Sequence, residues 1–172
     1  MPNQRNQFDT KDCLERGERA EEQFARLAIC RGWKVTTSID RQDMDEHWDV
    51  LIEKGAERYR VDVKAMKRIK RGDANVQDRW VWIELRGVRE GERGWLFGGH
   101  ADWIAFERTQ SFVIVERKAL AALVLKLVDP KAIVAKPQFA QYKVYQRPHR
   151  TDKLTLIETT QLDTIRVAEW EK

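Results

Sequence analysis

The chain has 172 residues, long enough for one domain with a substantial core. Hydrophobic residues make up 42% and charged residues 35%, a balance that excludes a disordered or membrane-embedded chain. No apolar run approaches a bilayer span, and the formal charge of +4, with a pI near 9.1, is only mildly basic.

The N-terminal stretch MPNQRNQFDTK (residues 1–11) is polar and lacks a secretory core, so it is expected to be a flexible leader before a single domain over 12–172. Cys13 and Cys30 are too few and too unpatterned for a disulfide framework or a zinc site. A reducing compartment, the cytoplasm by default, is expected. From Asp12 to Arg31 apolar residues recur at helical spacing (Leu14, Phe24, Leu27, Ala28), and Gly32 stands where that helix would stop. WKVTTSI follows as a short strand, and DRQDMDEH as an acid-rich mobile loop.

The segment HWDVLIEKGAERYRVDVKAMK carries the chemistry. It reads as a hairpin with Gly55 near the turn, VLIEK forming one strand and YRVDVKA the other. Side chains alternate between strand faces, so Asp62 and Lys64 share a face, opposite Val61, Val63 and Ala65. Pairing the strands brings Asp49 towards that face. Carboxylates gathered beside an ammonium can hold a hard divalent cation, Mg²⁺ or Mn²⁺, and activate a water, as cleavage of a phosphodiester requires. Each of the three also has a plain alternative as a charged residue on a solvent-facing strand. Directly after them, KAMKRIKRG concentrates Lys67, Arg68, Lys70 and Arg71 in a basic flap suited to phosphates, with a smaller basic run at QRPHR (146–150).

Beyond the flap, RWVWIEL alternates as a strand with Val81 and Ile83 on one face and Trp80, Trp82 and Glu84 on the other. Glu84 joins the site only if this strand neighbours the Asp62–Lys64 strand in phase, which the sequence leaves open. GVREGERG is expected to be a turn, GWLFG, ADWIAFE and SFVIVE strands, and RKALAALVLKLV a helix packed on the sheet. QYKVYQ and KLTLIE alternate weakly, and QLDTIRVAEW is expected to close the chain as a short helix. Of the seven tryptophans, Trp33, Trp95 and Trp103 sit in apolar contexts and read as packing, whereas Trp80 and Trp82 are better placed to stack on bases. The element order gives an α/β (α+β) fold with a mixed central sheet flanked by helices.

With Asp49, the Asp62-Val63-Lys64 tripeptide and the preceding acidic helix in place, the chain resembles the PD-(D/E)xK nuclease superfamily. Over residues 15–85 it is similar to archaeal-type Holliday junction resolvases, through Gly17, Ala20-Glu21 and Gly32. Trp48 stands where the superfamily's name has Pro, and the second acid is Asp rather than Glu. The resemblance implies a restriction-endonuclease-like core and a metal held by Asp49, Asp62 and the Val63 carbonyl. It implies a contribution from Glu21, which as a helix residue could equally serve in surface i,i+4 pairing. DNA is the implied partner, and junction resolution would require a homodimer. The rival expectation is a non-catalytic DNA-binding or assembly module that keeps the nuclease fold.

Overall fold

The computed structural model describes residues 4–39, 42–87 and 91–172. Residues 1–3 of the expected leader, Asp40 and Arg41 of the acidic loop, and residues 88–90 of the turn at GVREGERG lie outside the described residues.

The first helix, α1 (Gln4–Cys30), reaches into the expected leader. Ala20, Phe24 and Ala28 recur every four residues, and all three are buried. The helix closes with Gly32 at φ +82°, a left-handed conformation that glycine adopts without a Cβ clash, while the Trp33 N–H donates to the Ala28 carbonyl. Next come β1 (Lys34–Thr37), a π-helical turn (Gln42–Glu46), β2 (Val50–Lys54) and β3 (Glu57–Lys64). Lys54 pairs with Glu57 across a two-residue turn that starts at Gly55, φ +61°, as a tight hairpin demands.

The remaining elements are β4 (Trp80–Arg86), α2 (Gly94–Gly98), β5 (Trp103–Glu107), β6 (Ser111–Glu116), α3 (Arg117–Leu127), β7 (Asp129–Val134), β8 (Lys143–Gln146), β9 (Lys153–Glu158), α4 (Thr159–Leu162) and β10 (Arg166–Glu171). They form two sheets. A six-stranded sheet runs β1-β2-β3-β5-β6-β10, with β3 and β5 its only parallel pair, and a four-stranded sheet runs β4-β9-β8-β7. The expected mixed sheet flanked by helices is present.

Three local expectations change. GWLFG is helix α2, because Trp95 and Leu96 bury themselves together in the core and adjacent residues of a strand would point apart. QLDTIRVAEW is not a helix. Only Thr159–Leu162 turns helically, and the residues after it pair with β6 as β10, where Trp170 is buried against Phe24. RWVWIEL is a strand, but it belongs to the second sheet, and β5 rather than β4 lies beside β3.

Two hydrophobic clusters hold the layers. On one face of the large sheet, Val50, Ile52, Val61, Val63, Phe112 and Ile114 meet Phe24 and its neighbours on α1. On the other face, Ile104, Phe106, Val113 and Val115 meet Leu120 and Val124 of α3, Val81, Ile83 and Ile157 of the small sheet, and Trp95 and Leu96 of α2. Trp33, Trp95 and Trp103 all pack in these clusters, as expected.

Phe24 joins α1 to the sheet, stacking on Trp170 with ring centroids 5.0 Å apart and meeting Phe112 edge-on at 5.6 Å. Phe24→Ala is expected to lower folding stability by about 3–5 kcal/mol, measured by equilibrium denaturation, through a cavity that α1 cannot fill without leaving the sheet.

Candidate metal centre

The site is built where β3 outruns its partner. The β2–β3 ladder begins at Val50 opposite Val61, preceded by the Asp49 N–H donating to the Val61 carbonyl at 2.9 Å. One step further along β3, the Val63 N–H faces the same edge but has no strand opposite it. The Asp49 carboxylate fills that gap, accepting the Val63 N–H at Oδ2 over 2.6 Å. An Asp at the strand entrance thereby satisfies a backbone donor that burial would otherwise strand.

Asp62 and Lys64 project from β3 towards the second sheet, in register with Ile104 and Phe106 of β5. Asp49 is 6% exposed and Asp62 3%, so two carboxylates lie almost entirely out of water. Lys64 Nζ stands 2.7 Å from Asp62 Oδ2. At this distance the ammonium and the buried carboxylate oxygen form a close, charge-assisted pair. Trp95 places its ring against the same ammonium, 4.7 Å from centroid to Nζ. The sequence offers no sign of this contact, because α2 meets β3 only through the tertiary fold.

The charges are unbalanced. Burial, reinforced by Asp62 and Glu21, pushes the Asp49 carboxyl up to about 9. Burial and the charges of Asp43, Asp62 and Glu18 push Glu21 up to about 7. Burial acts against the Lys64 charge, but Asp62 and Asp49 outweigh it and hold the ammonium above the ordinary lysine value. Glu21, half-buried on α1, is therefore within electrostatic range of the strand triplet. Glu84 reaches the neighbourhood by another route, from β4 of the second sheet. It shares with Lys64, Trp82 and Trp95 the wall of a cavity of about 80 Å³, and burial raises its carboxyl against the pull of Lys64. At the end of the acidic loop, Glu46 accepts the Trp48 indole N–H at 2.8 Å, and its carbonyl accepts the His100 N–H at 2.7 Å.

Among the described residues, no three His, Cys, Asp or Glu side chains already form a metal cage. A hard cation that keeps several waters and needs only one or two carboxylates still fits the donor set, namely the buried carboxylates of Asp49 and Asp62 and the Val63 carbonyl. By strand geometry that carbonyl faces the same edge as the N–H taken by Asp49.

The basic run is fastened in place. Gln77 donates to the Lys67 carbonyl at 3.0 Å, Trp82 Nε1 donates to the Arg68 carbonyl at 3.0 Å, and Lys70 N–H donates to Asp73 at 2.9 Å. Lys67, Lys70 and Arg71 are exposed along this ordered loop, and half-buried Arg68 pairs with Asp12 of α1. Trp80 meets Tyr142 in a T-shaped contact and Trp82 lies tilted against Tyr145. Neither residue is simply presented to solvent.

A pH dependence follows from the raised carboxyls. Asp49 and Glu21 keep their protons in the fold to about 9 and 7, against ordinary values of 3.8 and 4.5. Between those limits these two groups bind more protons in the folded chain than in the unfolded one, so their contribution to metal-free stability is greatest at the acid end and falls as pH rises. Asp49→Asn keeps an acceptor for Val63 but cannot ionise. Denaturation at pH 8 is expected to show this variant more stable than wild type by about one to a few kcal/mol, with the difference shrinking towards pH 4.

Neither a protein-family model nor a curated protein sequence matches the chain. Among solved structures it is similar to a bacterial homing endonuclease, at 16% identity over 62% of this chain and 70% of that one, with a TM-score of 0.44. Among the described residues, no helix is long and apolar enough to cross a membrane.

Proposed function

We propose that this chain is a divalent-metal-dependent DNA endonuclease with a centre of PD-(D/E)xK type. The observation that carries the reading is the pair of buried carboxylates, Asp49 and Asp62, beside Lys64 at the free end of a sheet strand. Mg²⁺ or Mn²⁺ would be held by Asp49, Asp62 and the Val63 carbonyl, with Glu21 contributing directly or through water. Bound there, the ion would supply Lewis-acid polarisation of the scissile phosphate and a lowered pKa for water.

The side chains divide the rest of the work. Lys64, held protonated by Asp62 and Asp49, sets a fixed positive charge where negative charge builds on the phosphorus-bound oxygens, and Trp95 limits where that ammonium can move. Glu21, half-buried on α1 within electrostatic range of Asp62 and Lys64, would hold the attacking water and accept its proton. Glu84 orients Lys64 from the opposite sheet. Water adds to phosphorus, one P–O ester bond breaks, and the departing oxygen leaves with a proton. Lys67, Arg68, Lys70 and Arg71 would grip the backbone without reading bases. A junction-resolving version of this activity would act as a homodimer presenting two such sites, in recombination or repair.

Incubation with four-way junction, flap, linear duplex and single-stranded DNA in Mg²⁺ or Mn²⁺ tests the proposal. Cleavage of at least one substrate is expected, with Asp62→Ala and Lys64→Ala slower by about a hundredfold or more. An inactive wild type, or variants that cut equally well, would sink it. DNA binding without cleavage and without any metal effect dependent on Asp49 and Asp62 would favour a non-catalytic DNA-binding module instead.

A further inference from the structure

A groove of about 600 Å³ lies between the early turns of α1 and the loop after β3. Among the described residues, six basic side chains line it against one carboxylate, Asp12. Two of the six, Arg16 and Arg150, come from parts of the sequence far from the basic loop. The groove shares Ala65, Met66, Lys67 and Trp82 with the small cavity that ends at Lys64 and Glu84, so its path continues to the candidate metal centre.

Asp12 has a particular arrangement. Asp12 Oδ2 accepts from Arg16 Nε at 3.0 Å and from Arg68 Nη1 at 2.9 Å. One carboxylate oxygen thus lies between two guanidinium groups, a setting that equally suits a phosphate oxygen. The Arg68 Nε is buried and has no hydrogen-bond partner, so the Arg68–Asp12 pair leaves one of its donors unused.

We propose that this groove receives the sugar-phosphate backbone of the DNA strand entering the site, and that Asp12 occupies the place of one phosphate between Arg16 and Arg68 until DNA displaces it. The inference rests on the nuclease reading for the identity of the strand, but its test needs no cleavage. Displacement exchanges an internal ion pair for a phosphate contact, and removing the Asp12 charge leaves both arginines to the DNA.

Cys13 lines the groove and Cys30 ends the same helix; both are exposed. They lie seventeen positions apart, about 25 Å along a helix, so they report separately on the groove and on the far end of α1. In metal-free buffer, saturating DNA is expected to slow alkylation of Cys13 while leaving Cys30 unchanged. By fluorescence anisotropy with a labelled single strand and its duplex, Asp12→Asn is expected to bind roughly three- to tenfold tighter than wild type. Glu22→Gln, the same charge change at an exposed position of α1, should stay within about twofold. Arg16→Ala and Arg68→Ala should each weaken binding and reduce the slope against log salt by about one.

Undiminished alkylation of Cys13 at saturating DNA, equal affinity of Asp12→Asn and wild type, or no DNA binding would each overturn the groove assignment. Cleavage with Cys13 unprotected would remove the groove and leave the nuclease reading standing. Protection of Cys13 without cleavage in any metal would do the reverse.

Discussion

Two buried carboxylates and one half-buried ammonium meet at the end of β3, and they cannot neutralise one another. Asp49 accepts a backbone N–H where the β2–β3 ladder runs out, which fixes its position; Asp62 holds Lys64. One negative charge too many remains in a place with little water. The structure answers with protons, raising the Asp49 and Glu21 carboxyls. A bound divalent cation would answer the same imbalance by another means. The stability cost of the metal-free site and its proposed chemistry thus have one origin.

The surrounding layers exist to keep that imbalance in place. The six-stranded sheet is covered by α1 on one face and by the second sheet, α2 and α3 on the other, so the strand bearing Asp62 and Lys64 is held from both sides. Trp95 belongs to the core and also touches the Lys64 ammonium, which couples packing directly to the geometry of the charged group. Beside the centre, the basic loop is pinned by Gln77, Trp82 and Asp12. Its exposed cations are therefore offered from an ordered backbone, with little ordering entropy left to lose when a polyanion binds.

Much of the fold was legible from local pattern. The helical spacing of Leu14, Phe24, Leu27 and Ala28 marked α1, Gly32 its end, Gly55 the hairpin, and alternation in YRVDVKA placed Asp62 and Lys64 on one face. The failures have a common cause. GWLFG and the Ile165–Trp170 stretch are short apolar runs whose local pattern suits either helix or strand, and partners distant in sequence decide between them. Trp95 finds the core beside Lys64, and Trp170 finds Phe24 across the sheet.

The sequence by itself determined the hairpin, the order of the acids and lysine along it, and the basic run that follows, because each depends on residues within one or two turns or strands of chain. Only the tertiary structure decided that β5, not β4, lies beside β3, that Glu84 comes near Lys64 from a different sheet, and that Arg16 and Arg150 join the basic loop around Asp12. These are meetings of segments tens of residues apart. Their register is set by which hydrophobic faces bury together, and no local periodicity records it.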